Sequence, residues 1–228
     1  MQSVAVADVA RRHAGRLAKQ ALIALKHQTL LIFGFGLGKV FPADQRPCCS
    51  VIDETLERTT DGSGPVEALT RRELQALDAG FHHAAFRGTG VVVPTLDEVL
   101  QAFPSLHVNI ELKAGDEAFM DAFAAVVRRH RAEERVCIGY VDEEKAKVLL
   151  GKLPACASWY PQDAVFRFFM HSREDAPFEP DVYDVLSVPA EHMGLRVVDE
   201  KFVHAAHAQG KQVHVWTVDE PAQMAELL

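Results

Sequence analysis

The chain has 228 residues, with 24 Lys plus Arg against 32 Asp plus Glu, and a formal net charge of −8. Hydrophobic residues make up 48% and charged residues 25%, proportions that predict a packed core and exclude an intrinsically disordered chain. A nucleic-acid-binding protein is excluded as well, because the acidic balance leaves no basic stripe to neutralise phosphates. A small phosphorylated ligand remains compatible, since it needs only a local cation.

The cysteines and the apolar runs indicate the cellular location that we expect for the protein. None of the four cysteines has the C-x-x-C spacing of a zinc site, and no disulfide framework is indicated. We therefore expect reduced thiols and a cytoplasmic location. The apolar run at residues 30–37 is far shorter than the roughly 20 residues of a membrane-spanning helix, so we expect no stable membrane insertion. Export or anchoring by the N-terminal segment is the alternative.

The first 50 residues differ in pattern from the rest of the chain. Residues 5–25 have the pattern of an amphipathic helix, and residues 30–33 that of a strand. The glycine-rich residues 34–38 suggest dinucleotide binding, but the G-x-G-x-x-G pattern would need glycine where Lys39 stands. A glycine-rich turn is favoured there. We predict a divergent N-terminal segment over residues 1–50 and one main domain over residues 51–228.

The next part of the chain contains signals for a turn and for two helix starts. Residues 61–65 form a polar, glycine-rich cluster that predicts a turn. Thr70 with Glu73, and Thr95 with Glu98, have the spacing of capping boxes. These boxes predict short helices over residues 71–77 and 96–103.

From residue 107 onward, strand-like and helix-like segments alternate. Strands are predicted at residues 107–112, 135–141, 155–160, 184–189 and 212–218, and helices at residues 116–130, 142–152, 201–209 and after Asp219. Alternation of this kind indicates parallel βα units, and hence an α/β fold.

Glu111 and Lys113 are the first candidate site residues. They stand two residues apart at the carboxyl end of a predicted strand, so their side chains point to the same face. In a βα barrel that strand end is where catalytic residues lie. A glutamate there can bind a hard cation, and a lysine can contact an anionic oxygen. A pair of solvated charges at the rim is the alternative.

Histidines provide two weaker candidates. His204 and His207 share a predicted helix face, and His214 lies on the following strand, so a metal site is possible. A solvated helix face is favoured over metal binding by these three histidines. His82 and His83 follow Phe81 in a predicted loop, where exposure is favoured over a catalytic role.

Several motifs occur in an order that resembles the glycerophosphodiester phosphodiesterase family. They are spread from about Val51 to Leu228, roughly three quarters of the chain: residues 53–64 (DETLERTTDGSG), 74–80 (LQALDAG), 94–100 (PTLDEVL), 109–113 (NIELK), 188–189 (VP), and Gly210 followed by residues 215–219 (VWTVD).

The resemblance implies a TIM-type (β/α)8 barrel that hydrolyses glycerophosphodiesters to an alcohol and glycerol phosphate, using a divalent cation, calcium or magnesium. It implies that Glu111 is catalytic and binds the metal, and that Lys113 is catalytic and faces the substrate phosphate. It also implies that Trp216 lines the substrate site. A place for Trp216 in the barrel core is the alternative.

The sequence departs from the family at both ends. Residues 1–50 contain no His-Arg-Gly tripeptide, no Glu-x-Asp pair precedes Asp53, and Ile52 stands where the family has its general-acid histidine. The chain also stops at Leu228, before an eighth strand. We therefore expect a partial barrel in which the first two βα units are replaced or degenerate and the last strand is missing.

These departures shape the functional expectation. The chain is expected to be a weak or inactive phosphodiesterase, because general acid–base groups typically contribute 10²–10⁴-fold to the rate. The alternative is a non-catalytic remnant that binds a phosphate ester or a protein. The strand at residues 212–218 is expected to lack one neighbour and to promote self-association, unless residues 30–33 insert beside it.

Overall fold

The computed structural model describes the backbone of Thr29–Phe35 and residues 55–113, 115–174, 178–216, 218 and 220–227. The predicted helix at residues 5–25, most of the glycine-rich turn, and Ile52 with Asp53 lie outside the described residues. The chain divides into two compact units, one of Met1–Ile138 with Leu149–Cys156 and the other of Gly139–Val148 with Ala157–Leu228.

The first unit contains β1 (Thr29–Phe35), α1 (Arg71–Leu74), α2 (Leu96–Ala102), β2 (His107–Leu112) and α3 (Glu117–Arg129), with 3-10 turns at Val66–Ala68 and Glu133–Arg135. Two elements, β3 (Val136–Tyr140) and α4 (Glu143–Lys152), contribute residues to both units. The second unit adds β4 (Ala157–Ser158), α5 (Gln162–His171), β5 (Val185–Pro189), β6 (Glu191–His192), β7 (Leu195–Arg196), α6 (Glu200–Ala208), β8 (Gln212–Trp216) and α7 (Pro221–Glu226). The predicted alternation of strands and helices is confirmed.

The strands form two parallel arrangements and one hairpin. The strands β1, β2, β3 and β4 hydrogen-bond in that order in one sheet, and β1 runs parallel to β2. In the second unit β5 runs parallel to β8, with Ser187 opposite His214 and Pro189 opposite Trp216. The two-residue strands β6 and β7 pair antiparallel.

The position of β1 decides between two alternatives left open by the sequence. Residues 30–33 do form a strand, but it pairs with β2 and does not insert beside β8. A continuous apolar run indicates a buried strand without indicating which neighbour it pairs with, so the sequence could not distinguish these two places.

Side-chain caps fix the starts of the helices. Both predicted capping boxes are present, with the Thr70 and Thr95 hydroxyls accepting from the backbone N–H groups of Glu73 and Glu98. The helix α1 nevertheless ends at Leu74 and not at residue 77. The backbone N–H groups of Ala76 and Leu77 donate to the carbonyls of Glu73 and Leu74, three residues back, whereas an α-helix bonds four residues back. The chain is therefore tightened into turns after Leu74.

The predicted turn at residues 61–65 closes a loop that covers a small core. The backbone N–H of Leu56 donates to the carbonyl of Gly64 at 3.0 Å, and Gly64 has φ +88°, which glycine adopts without strain. Leu56, Val66, Leu74 and Val93 are buried together beneath this loop.

Each unit has apolar side chains to bury. In the first unit they come from β2, α2 and α3, with the α3 residues recurring at helical spacing. In the second unit Phe168 of α5 is central, because its ring contacts those of Tyr160, Phe178 and Phe202 at 5.4–5.7 Å between centroids. Among the described helices, none has the length and apolarity that crossing a membrane requires.

Candidate functional site

One face of β2 is polar, and Lys113, the residue directly after the strand, continues it. Asn109, Glu111 and Lys113 alternate with residues whose side chains are fully buried, namely Val108, Ile110 and Leu112. Because successive side chains of a strand point to opposite faces, the three polar groups share one face and the three apolar groups share the other. A strand buried on both sides normally carries apolar residues on both faces, so the polar face indicates a site.

Glu111 and Lys113 are in direct contact on that face. The ammonium Nζ of Lys113 donates to Oε1 of Glu111 at 2.5 Å. The side chain of Glu111 is 10% exposed and that of Lys113 is 40% exposed. The carboxylate is therefore held below the surface, and the ammonium group lies above it, open to solvent. The structure thus brings together two of the predicted site residues, as their spacing indicates.

The pair has capacity left to bind an anion. A lysine ammonium group has three N–H donors, and one of them is used by Glu111. The remaining donors can contact the oxygens of a phosphate group while Glu111 keeps the ammonium in place. Charge-assisted hydrogen bonds of this kind are shorter and stronger than those between neutral groups.

A tight turn directly follows the pair. Gly115 has φ +132°, and a Cβ atom built there would lie 2.3 Å from the Phe119 ring. Only glycine fits both the backbone angle and the close approach of that ring. Asp116 then caps α3 by accepting from the N–H of Phe119 at 2.9 Å. This turn fixes the point at which the chain leaves the strand just beyond Lys113, and sequence reasoning did not single it out.

Trp216 lies at the carboxyl end of β8, in the second unit, and is 39% exposed. Its exposure does not match the alternative of a residue in the barrel core. His214 is on the same face of β8, two residues earlier, and is half-buried. Its buried Nδ1 atom has no hydrogen-bond partner within the described part of the chain, and burial lowers the pKa of the imidazole from its usual 6.5.

The other histidine candidates have different surroundings. His204 and His207 on α6 are exposed, and the described residues contain no group of three His, Cys, Asp or Glu side chains that could hold a metal ion. The predicted solvated helix face is confirmed for His204 and His207. His82 is exposed as predicted, and its Nε2 lies 2.6 Å from the carbonyl oxygen of Glu57 and 3.1 Å from that of Thr60. It holds the loop at residues 55–65, which is a structural role.

Within the described residues, the candidate site does not by itself form a site for a divalent cation. Glu111 supplies one carboxylate, and that carboxylate already contacts Lys113. Calcium takes six to eight oxygen ligands, and magnesium requires octahedral coordination.

Comparison with known proteins agrees with the motifs. Residues 43–228 match the glycerophosphoryl diester phosphodiesterase family. The chain is 30% identical over 174 residues to a probable glycerophosphodiester phosphodiesterase 2 of Mycobacterium tuberculosis, an alignment that covers 73% of this chain and 61% of that protein. The chain thus spans less than two thirds of that relative's length.

Solved structures share the fold. A glycerophosphoryl diester phosphodiesterase domain from Mycobacterium tuberculosis superposes with a TM-score of 0.64 at 18% identity, covering 82% of this chain and 75% of the other. A phosphodiesterase from Oleispira antarctica, solved with the product sn-glycerol-3-phosphate, superposes with a TM-score of 0.59 at 20% identity, covering 78% and 70%. At these identities the likeness shows a mixed α/β fold of the phosphodiesterase type. With the family match over residues 43–228, it follows that the chain belongs to the glycerophosphoryl diester phosphodiesterase family.

Proposed function

We propose that this chain is a hydrolase of glycerophosphodiesters, releasing an alcohol and glycerol phosphate, and that Lys113 and Glu111 form its phosphate-binding centre. The observation that carries the proposal is the contact between Lys113 and Glu111 on the polar face of β2. Family membership supports the reaction class, and the solved relative with bound sn-glycerol-3-phosphate supports a ligand of this chemistry.

Lys113 would bind the phosphate of the diester. Its ammonium group neutralises the charge on the non-bridging oxygens, which favours attack by water because negative charge accumulates there in the transition state. Glu111 orients that ammonium through the 2.5 Å hydrogen bond. Trp216, exposed at the end of β8, is proposed to line the substrate site with its indole ring.

The family resemblance implies a divalent cation, calcium or magnesium, with Glu111 as a ligand. When bound, such an ion would polarise the phosphate as a Lewis acid. Because the described residues provide one carboxylate at this place, we derive no step through the ion.

Slow turnover is part of the proposal. Ile52, which precedes Asp53, has no group that can transfer a proton, and Glu-x-Asp does not occur before Asp53. We expect turnover below the usual enzymatic range of about 1–10³ s⁻¹, since proton transfer by a positioned side chain is a large part of most rate enhancements.

A hydrolysis assay tests the proposal. The purified chain is incubated with glycerophosphocholine and saturating calcium or magnesium, and released glycerol phosphate is measured. We expect slow release that is lost in Glu111→Gln and kept in Glu144→Gln, which changes an exposed glutamate on α4. No release by the wild-type chain would contradict the hydrolase proposal and support a remnant that binds phosphate esters without turnover.

A further inference from the structure

Asn109 is the deepest polar residue on the polar face of β2. It is 4% exposed, and its buried amide nitrogen Nδ2 has no hydrogen-bond partner among the residues that the structure describes. An unpaired buried donor destabilises the folded state, so native proteins seldom keep one without a ligand, a water molecule or a function to match it.

Its neighbour on the same face is Glu111. Two residues of strand separate their Cα atoms by roughly 6.6 Å, since each residue of a parallel strand rises about 3.3 Å. The carboxylate of Glu111 accepts one hydrogen bond, from Lys113, and an ionised carboxylate can accept several. A buried donor without a partner and a carboxylate that can accept further hydrogen bonds are therefore consecutive residues on this face of the strand, and Lys113 follows them.

The amide of Asn109 and the carboxylate of Glu111 together favour a hydroxyl oxygen as the ligand atom. A hydroxyl oxygen accepts from an amide N–H and donates its own proton to a carboxylate, so it satisfies both groups at once. A phosphate oxygen would be repelled by Glu111, and an ammonium group could not accept from Asn109. The ordering along the strand, Asn109, then Glu111, then Lys113, matches a ligand with a hydroxyl group at one end and a phosphate at the other.

We propose that Asn109 and Glu111 together bind a hydroxyl group of a glycerol phosphate ester whose phosphate contacts Lys113. The inference rests on the proposed function and adds a specificity-determining residue to it. Asn109 then discriminates between alcohol phosphates that carry a free hydroxyl group and those that carry an alkyl chain of the same size.

Calorimetric titration with two ligands tests this. Glycerol 3-phosphate and propyl phosphate differ in the two hydroxyl groups and share the phosphate. The wild-type chain is expected to bind glycerol 3-phosphate more tightly. In Asn109→Leu, a change of similar size, the affinity for glycerol 3-phosphate should fall about three- to tenfold, as expected for one hydrogen bond, while that for propyl phosphate stays the same.

Stability provides the second readout. If Asn109 were a structural residue, Asn109→Leu would lower the melting temperature. A ligand-binding amide that is unpaired in the free protein should instead leave it unchanged or raise it, because an unsatisfied buried donor has been removed. Asn109→Asp, which replaces the donor by an acceptor of the same shape, should also lose the preference for glycerol 3-phosphate.

Two results would overturn the inference, and they differ from each other. Unchanged preference in both Asn109 variants, with phosphate binding intact, would contradict the role of Asn109 alone. Failure of the wild-type chain to bind either phosphate ester would contradict the proposed function and, with it, the role of Asn109.

Discussion

Gly139 in β3 has no room for a side chain. A Cβ atom built there would lie 1.8 Å from Cε2 of the Trp159 indole, a separation that real atoms do not adopt. We expect Gly139→Ala to destabilise the protein by roughly 1–3 kcal/mol, the usual range for overpacking a core. Urea unfolding measures the change.

Gly151→Ala is the matched control for Gly139→Ala. Gly151 lies exposed in α4, and a Cβ atom there meets nothing within 4 Å. This change should stabilise the protein by about 0.5–1 kcal/mol, because alanine has the higher helix propensity. Equal effects of the two substitutions would contradict the proposed packing of Trp159 on Gly139.

His214 predicts a dependence of stability on pH. Burial lowers the pKa of its imidazole below 6.5, so the unfolded chain binds a proton more readily than the folded one. The contribution of His214 to the free energy of unfolding is therefore fully present above pH 6.5, where the imidazole is neutral. It is lost as the pH falls below 6.5 and through the lower pKa of the folded state. Melting curves between about pH 7 and pH 5 should show a smaller loss in His214→Gln than in the wild type. Identical pH profiles would refute this.

For single residues, spacing alone was enough to predict that Glu111 and Lys113 share one face, and the structure adds the hydrogen bond between them. Side chains along a strand alternate between its two faces, so residues two positions apart share a face whatever packs against the strand. Asn109 and Gly115 were not singled out. The signal for Asn109 was present, as an amide inside an otherwise apolar strand. The need for Gly115 depends on the approach of the Phe119 ring, a tertiary contact that no local pattern contains.

Among the elements, α2 has an end that depends on one distant arginine. The guanidinium group of Arg135 donates to the carbonyl oxygens of Leu100, Phe103 and Leu106 at 3.0–3.1 Å. The last carbonyls of a helix lack partners within the helix, so these bonds complete it.

Removal of that guanidinium group should therefore be costly. Arg135→Met is expected to reduce the free energy of unfolding by about 1–3 kcal/mol, since three partly buried carbonyls lose charge-assisted bonds. Arg135→Lys should retain part of the free energy of unfolding that Arg135→Met loses. Arg72→Met, at an exposed position of α1, should change stability by less than about 0.5 kcal/mol. Chemical denaturation of the three variants tests this, and a loss in Arg72→Met as large as that in Arg135→Met would contradict it.

Helix starts were more predictable than helix and strand ends. Capping boxes are local, so Thr70 and Thr95 mark the starts of α1 and α2 correctly. The ends of α1, β4 and β8 were each predicted too late. Hydrogen bonding after Leu74 and strand pairing at β4 and β8 decide those ends, and both depend on residues distant in sequence.

For the whole molecule, the edge of β8 predicts self-association. Among the described residues β8 pairs with β5 and with no other strand. An unpaired strand edge can recruit the edge of another chain. Sedimentation velocity should show a mass that rises with concentration, and Gln212→Lys, a charge placed on the exposed first residue of β8, should reduce it. A monomer at all concentrations would contradict this prediction.

The family and the α/β fold were predictable because several motifs and the alternation of elements point to them together. The pairing partner of β1 was not predictable, since its apolar residues are compatible with any buried position in a parallel sheet. The expectation that the first two βα units are replaced remains a prediction.

The affinity for glycerol 3-phosphate is the decisive measurement for the role of Lys113 and Glu111, because binding does not depend on the rate of turnover. If Lys113 and Glu111 form the phosphate-binding centre, Lys113→Met should weaken binding about 10- to 100-fold, the value of a hydrogen bond to a charged group. Lys201→Met, on the exposed surface of α6, should leave it unchanged. Equal affinities of Lys113→Met and the wild-type chain would place the phosphate elsewhere and show that Lys113 and Glu111 do not form the phosphate-binding centre.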